Sequence, residues 1–137
     1  MLNELLIKEL SNKVDINTSE IQNIKDKEVY STSEKVVGKW IDGKPLYQKT
    51  IQMPTVSAGT TGTYNISDLN CDTVWIDFGN SFAYSGEIVL PINRTHTGNV
   101  ASQSDVRITR STITIVCGSG TSAGNPIITI KYTKTTD

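Results

Sequence analysis

The residues able to do chemistry in this 137-residue chain are few and scattered. His96 is the single histidine, so any Ser-His-Asp or Cys-His relay has to pass through it. It stands in the polar, turn-rich run "NRTHTGNVASQS" (93–104), where a solvated imidazole on a surface loop is expected. Three copies of His96 on a threefold axis could build a metal site, but one ligand per chain is weak evidence for it. Asp68, Asp72 and Asp77 are close enough in sequence to suggest the paired carboxylates of a glycosidase. Asp68 and Asp72, however, precede the run "TVWIDF" (73–78), a place where aspartate ordinarily accepts hydrogen bonds from turn amides. Cys71 has no helix N-terminus or basic cluster beside it to lower its pKa. Gly118-Ser119-Gly120 lacks the Gly-Lys-Ser/Thr and the helix of a phosphate loop. We therefore expect no enzyme, no cofactor and no metal.

Binding is better supported. Trp75, Phe78, Phe82 and Tyr84 crowd one short stretch, with Asn80 and Ser81 between them. Aromatic faces stack on the CH faces of sugars, while short amides and hydroxyls satisfy sugar hydroxyls. Of that cluster we expect Trp75 and Phe78 in the core, with only Phe82 or Tyr84 exposed. Loops on a rigid scaffold are the natural place for contacts, here 79–85, 93–104 and 118–125. Within them Asn80, Phe82, Tyr84, Arg94 and His96 are the candidate ligand-binding residues.

Something has to carry these loops. Residues 2 to about 28 hold the only helical period. Ile7, Leu10, Val14, Asn17, Ile21 and Ile24 follow one another at spacings of 3, 4, 3, 4 and 3. That is a heptad with Ile7, Val14 and Ile21 at a and Leu10, Asn17 and Ile24 at d. So narrow a stripe fits a coiled-coil seam better than a helix docked on its own domain, and a lone helix of this length is marginal. Isoleucine at a with mixed Leu and Ile at d leans beyond two strands. We expect a homotrimer, with a dimer as the alternative and Asn17 fixing register.

After Glu28 the period changes to two. Val29–Thr32 reads as a short leading strand, followed by the hairpin Lys35–Ile41 and Leu46–Met53 around Asp42-Gly43-Lys44-Pro45. Neither face of the second arm is cleanly apolar, which predicts an edge or intersubunit strand. Further strands are expected at Thr63–Ile66, Thr73–Phe78, Gly86–Ile92 and Pro126–Thr133, with Phe82–Tyr84 irregular. In Asp105–Cys117 the apolar residues switch from even positions (Val106, Ile108) to odd ones (Ile113, Ile115), so a tight turn near Arg110-Ser111 must divide two strands. Seven or eight short strands with frequent turns predict a mainly β body, an antiparallel β-sandwich of jelly-roll-like type. The expected division is a coiled-coil helix over 1–28 and a β-sandwich over 29–137.

Composition narrows the class. With 13 basic and 14 acidic residues, the net charge of −1 argues against nucleic acid or an anionic membrane as partner. No apolar run approaches the roughly 18 residues that a membrane span needs. Glu4, Lys8 and Glu9 interrupt the run "MLNELLIKEL", so it does not read as a signal peptide. Cys71 and Cys117 are either two buried thiols or one disulfide.

Two segments resemble a known family. "EVYSTSEKVVGKWIDGKPLYQKTI" (28–51) is similar to a segment of bacteriophage tail fibre, receptor-binding and minor structural proteins, and "ITIKYTKTTD" (128–137) resembles their closing strand. The resemblance implies a trimeric virion fibre, assembled in the host cytoplasm, with a β-rich tip that recognises host surface polysaccharide. It also implies attachment to another virion protein through the N-terminal helix, about 40 Å long at 1.5 Å per residue. A head fibre or capsid decoration protein is the alternative. Trp40 and Tyr47, in the hairpin after the coil, are expected at or near the trimer junction.

Overall fold

The computed structural model describes residues 2–26, 30–94, 98 and 100–137, with helix side chains described through Ile21. His96 and the side chain of Ile24 lie outside the described residues. The fold is mainly β, with a single N-terminal helix and antiparallel sheets. Helix α1 spans Leu2–Asp26 and carries Glu4 in its first turn, where a carboxylate complements the positive helix end. The seam positions are bare: Ile7 is 66% exposed, Leu10 62%, Val14 62% and Ile21 54%. The buried core takes no residue from the helix. No helix among the described residues is long and apolar enough to cross a membrane.

Among the described residues nine strands follow: β1 (Lys35–Lys39), β2 (Pro45–Gln52), β3 (Thr61–Asn65), β4 (Cys71–Ile76), β5 (Phe82–Ser85), β6 (Ile88–Pro91), β7 (Ser104–Ile108), β8 (Thr112–Cys117) and β9 (Gly124–Lys134). Strand β9 organises the larger, six-stranded sheet. It pairs with β2 along one side and with β4 and then β5 along the other, while β1 and β6 lie outside. The smaller sheet runs β3-β8-β7. Ile128, Ile130 and Tyr132 of β9 and Ile113 and Ile115 of β8 are fully buried, and both sheets feed one core. The alternation of side chains along a strand explains this, since residues two apart share a face.

Two turns form where the sequence placed them. In the first hairpin the Trp40 amide donates to the Lys44 carbonyl at 2.8 Å, and the Lys44 amide to Asp42 Oδ1 at 3.0 Å. Gly43 supplies the left-handed residue at φ 86°, a conformation that side chains resist. In the second, Ile108 faces Ile113 and Val106 faces Ile115, so the change of phase marks a real reversal. Thr109 Oγ1 closes it by accepting from the Thr112 amide at 3.0 Å.

Elsewhere the structure corrects the sequence reading. Phe82–Ser85 is a regular strand, because both β6 and β9 supply ladder partners that no local pattern announces. Residues 30–32 form turn and bend rather than a strand, although the Ser31 carbonyl still accepts the Thr50 amide at 2.8 Å. Strand β2 is internal, lying between β1 and β9. Its mixed faces reflect a sheet covered on both sides: Gln48 and Thr50 are buried, and Thr50 Oγ1 lies 2.9 Å from Thr129 Oγ1. Hydroxyl pairing of this kind lets polar side chains occupy a covered face without an unmet hydrogen bond.

Candidate functional site

Two surfaces of the body carry the chemistry needed for recognition. The first lies on the face of the larger sheet turned away from the shared core, where Gln48, Thr50 and Thr129 are buried and Lys35, Trp75, Phe82 and Lys131 around them are partly exposed. Register places Lys35, Gln48, Lys131 and Trp75 in one row across it. Thr50 and Thr129 form the next row, and Gln52, Ile127 and Phe82 another. The rings stand on either side of a polar strip. Trp40 tilts onto Trp75 with centroids 5.0 Å apart. Phe82 is held edge-on by Tyr30 at 6.1 Å and by Tyr84 at 5.9 Å. Trp75 and Phe82 face β9 four residues apart, about 13 Å at 3.3 Å per residue.

Within that strip Asp77 holds its neighbours in place. Asn80 Nδ2 donates to Asp77 Oδ2 at 2.8 Å, and Lys131 Nζ lies 3.7 Å from the same oxygen. Ser81 Oγ donates to the Asp77 carbonyl and accepts the Thr129 amide, bridging the gap between β4 and β5 along β9. The candidates Asn80, Phe82 and Tyr84 are thus brought together, with Phe78 exposed nearby. Tyr30 is the member that the sequence reading missed; its only local signal was its place in the fibre-like segment.

The second surface is a cleft of about 400 Å³, lined by Asn93, Arg94, Gln103 and Asp105 with Val100 and Val116 as its apolar wall. It forms because three distant segments meet. Arg94 and Ser104 exchange backbone hydrogen bonds, and the Gly118 and Gly120 amides donate to the Gln103 and Ala101 carbonyls. A Cβ on Gly118 would come within 2.5 Å of the Ala101 carbonyl oxygen, so only glycine allows this approach. The Arg94 guanidinium donates through Nη2 to Thr121 Oγ1 and through Nε to Ser104 Oγ. Among the described residues Arg94 makes no side-chain hydrogen bond to the aromatic strip.

Of the carboxylates suspected of hydrolysis, Asp72 and Asp77 are engaged in separate ion pairs. Asp72 lies 3.6 Å from Lys44 Nζ and 3.7 Å from Arg110 Nη2, tying two turns together, while Asp77 faces Lys131. Among the described residues no three His, Cys, Asp or Glu side chains gather in a way that could hold a metal ion.

Trp40 and Tyr47, expected near a trimer junction, have ring partners within the chain. Tyr47 stacks on Tyr132 at 5.7 Å, lies under Lys134 Nζ and donates to Asp137 Oδ2. Both cysteines are free and buried. Burial pushes the Cys71 and Cys117 thiols above their ordinary pKa; Glu34 adds to this at Cys71 against Lys134, and at Cys117 the Ala123 backbone and then Arg94 only partly offset it. At pH 8 a thiol reagent should therefore label both cysteines slowly in the native protein and rapidly in urea. Equal rates in the two states would contradict the burial.

Comparison of the chain with protein-family models, with curated proteins and with solved structures finds no match.

Proposed function

We propose that this chain is the subunit of a homotrimeric bacteriophage virion fibre, whose helix forms a coiled coil and whose non-enzymatic β-sandwich body binds host surface glycan. The observation that carries the reading is the bare seam of α1. A 25-residue helix that presents Ile7, Leu10, Val14 and Ile21 to solvent leaves apolar surface that other copies of the same helix can cover. Asn17, exposed on the same stripe, is the polar d-position residue that would set its register.

Leu2, Leu5 and Ile16 are also exposed but sit at c and f positions. In a trimer they stay outside the seam, and they supply an apolar facet for the virion protein to which the fibre attaches. The body contributes the aromatic strip and the Arg94 cleft. Weak single sites of this kind gain avidity when three copies are joined.

Sedimentation of the full chain should give three times the 15.0 kDa subunit mass. Purified trimer should also be retained by the wall polysaccharide of the host without releasing reducing ends. Gold-labelled antibody on the virion then fixes its position: label at the tail supports the receptor-binding role. Label on the head would assign the chain to a head fibre or capsid decoration. A monomer would refute the proposal.

A further inference from the structure

Resting on the glycan-binding reading, we infer that the Arg94 cleft selects an acidic sugar, with the carboxylate or phosphate of one unit held by the outer edge of the guanidinium. A guanidinium has five N–H donors arranged along two edges. Here Nε and Nη2, which form the inner edge, are committed to the hydroxyls of Ser104 and Thr121. Those hydroxyl residues are themselves only 4% and 6% exposed, so the anchor is internal and the plane of the group is fixed. The outer edge, Nη1 with the second Nη2 hydrogen, has no partner among the described residues. Two parallel N–H groups at that edge match the paired oxygens of a carboxylate or a phosphate.

Charge points the same way. Among the described residues no carboxylate lies within ion-pair distance of Arg94. The carboxylate of Asp105 also lines the cleft, but it is taken up by Arg107 Nε at 2.7 Å. Among the described residues a half-buried cation thus has no counter-ion at the wall of a cleft of about 400 Å³. An anion arriving there replaces water around a preoriented donor pair, whereas a neutral sugar gains no ionic contact. Val100, 74% exposed, and Val116 offer the apolar surface on which the ring of the sugar can lie.

The test uses full-length protein and titration calorimetry with three probes. They are a tetrasaccharide of alternating glucuronate and N-acetylglucosamine, the same tetrasaccharide with its carboxyls reduced to alcohols, and glucose 1-phosphate. At least one anionic probe should bind tenfold or more tighter than the reduced tetrasaccharide, and the better of the two names the oxyanion. Arg94→Gln should abolish that preference. Because Arg94 also ties two loops together, Val100→Asp is the second variant. It leaves the Arg94 hydrogen bonds in place, puts a carboxylate at the mouth, and should weaken the preferred probe at least tenfold with an unchanged melting temperature. Equal binding of anionic and reduced probes overturns the inference, as does Val100→Asp with unaltered affinity. Retention on host polysaccharide that survives either result would leave the glycan-binding reading standing while this inference falls. Loss of all retention in the unmodified protein would remove both.

Discussion

Replacing Ile7, Val14 and Ile21 together with Asp should convert the proposed trimer into single 15.0 kDa chains. Each of these side chains is more than half exposed in the lone chain, so nothing within the subunit is lost by the change. In a coiled coil the same positions are buried, and full burial of an apolar side chain stabilises by about 1.5–3 kcal/mol. Aspartates would have to enter that seam ionised and unpaired, at a cost larger than the burial they replace. With three such positions per helix, assembly should fail outright. The helix should then lose most of its far-ultraviolet signal, since an isolated helix of this length is marginal.

The body should not notice. Its core takes no residue from the helix, so its urea midpoint and its near-ultraviolet spectrum should match those of the parent. Retention on host polysaccharide should fall to that of a single weak site. A triple variant that still sediments as a trimer would locate the assembly interface in the body and overturn the role given to the helix.

The second large effect is expected at Ile130→Ala. Ile130 is fully buried at the middle of β9, opposite Lys49 of β2 and Ile76 of β4, and between Ile128 and Tyr132 on the same face. Truncation there removes transfer free energy and leaves a void that a strand paired on both sides cannot collapse. The expected loss is about 2–5 kcal/mol, against a total stability of about 5–15 kcal/mol for a domain. Urea unfolding should therefore show a midpoint shifted far down with an unchanged slope. Val116→Ala on β8, 37% exposed, is the control and should move stability by about 0.5 kcal/mol or less. A loss under about 1 kcal/mol at Ile130 would mean that the site relaxes and that β9 is not the rigid centre of the sheet.

Local chemistry was legible where one segment determined the outcome. Asp42-Gly43 specified a reversal that needs a left-handed residue, and Gly43 provides it. The shift from Val106 and Ile108 to Ile113 and Ile115 gave the β7-β8 turn, because a strand cannot change face without a break in its pleat. Legibility failed where distant strands decide. The run "FAYS" looks irregular alone and becomes a strand only because β6 and β9 border it. Gln48 and Thr50 look like solvent-facing residues and are buried, since Thr129, its hydroxyl partner, arrives from far along the chain. The cleft was hidden for the same reason. It is assembled from residues near 93, 103 and 117, and Arg94 was singled out only as a cation on a loop.

The aromatic cluster was recognised by composition, yet its arrangement was not. Phe82 is packed edge-on by Tyr30, the first residue described after the helix, so one side of the strip lies at the start of the β body. Trp40 and Trp75 mark its other side, toward the hairpin turn.

The central position of β9 also sets the order in which the molecule can form. Every other strand of the larger sheet except β1 and β6 pairs directly with β9, yet β9 follows all eight in sequence. On a ribosome moving at about 5–20 residues per second, the helix is released roughly 5–20 seconds before the strand that completes the sheet. Until then β2, β4 and β5 have unfilled ladders and exposed apolar faces. Under the proposed assembly, the helices can meet while the bodies are still incomplete. Three unfinished sheets would then be held side by side at high local concentration, able to pair with the wrong copy of β9. The six-pair register of β9 on β2, Tyr47 to Tyr132 through Gln52 to Ile127, guards against slipped pairing, while an in-register exchange between identical copies keeps every contact. A slip of one residue would turn Ile128, Ile130 and Tyr132 out of the core, making mispaired sheets costly.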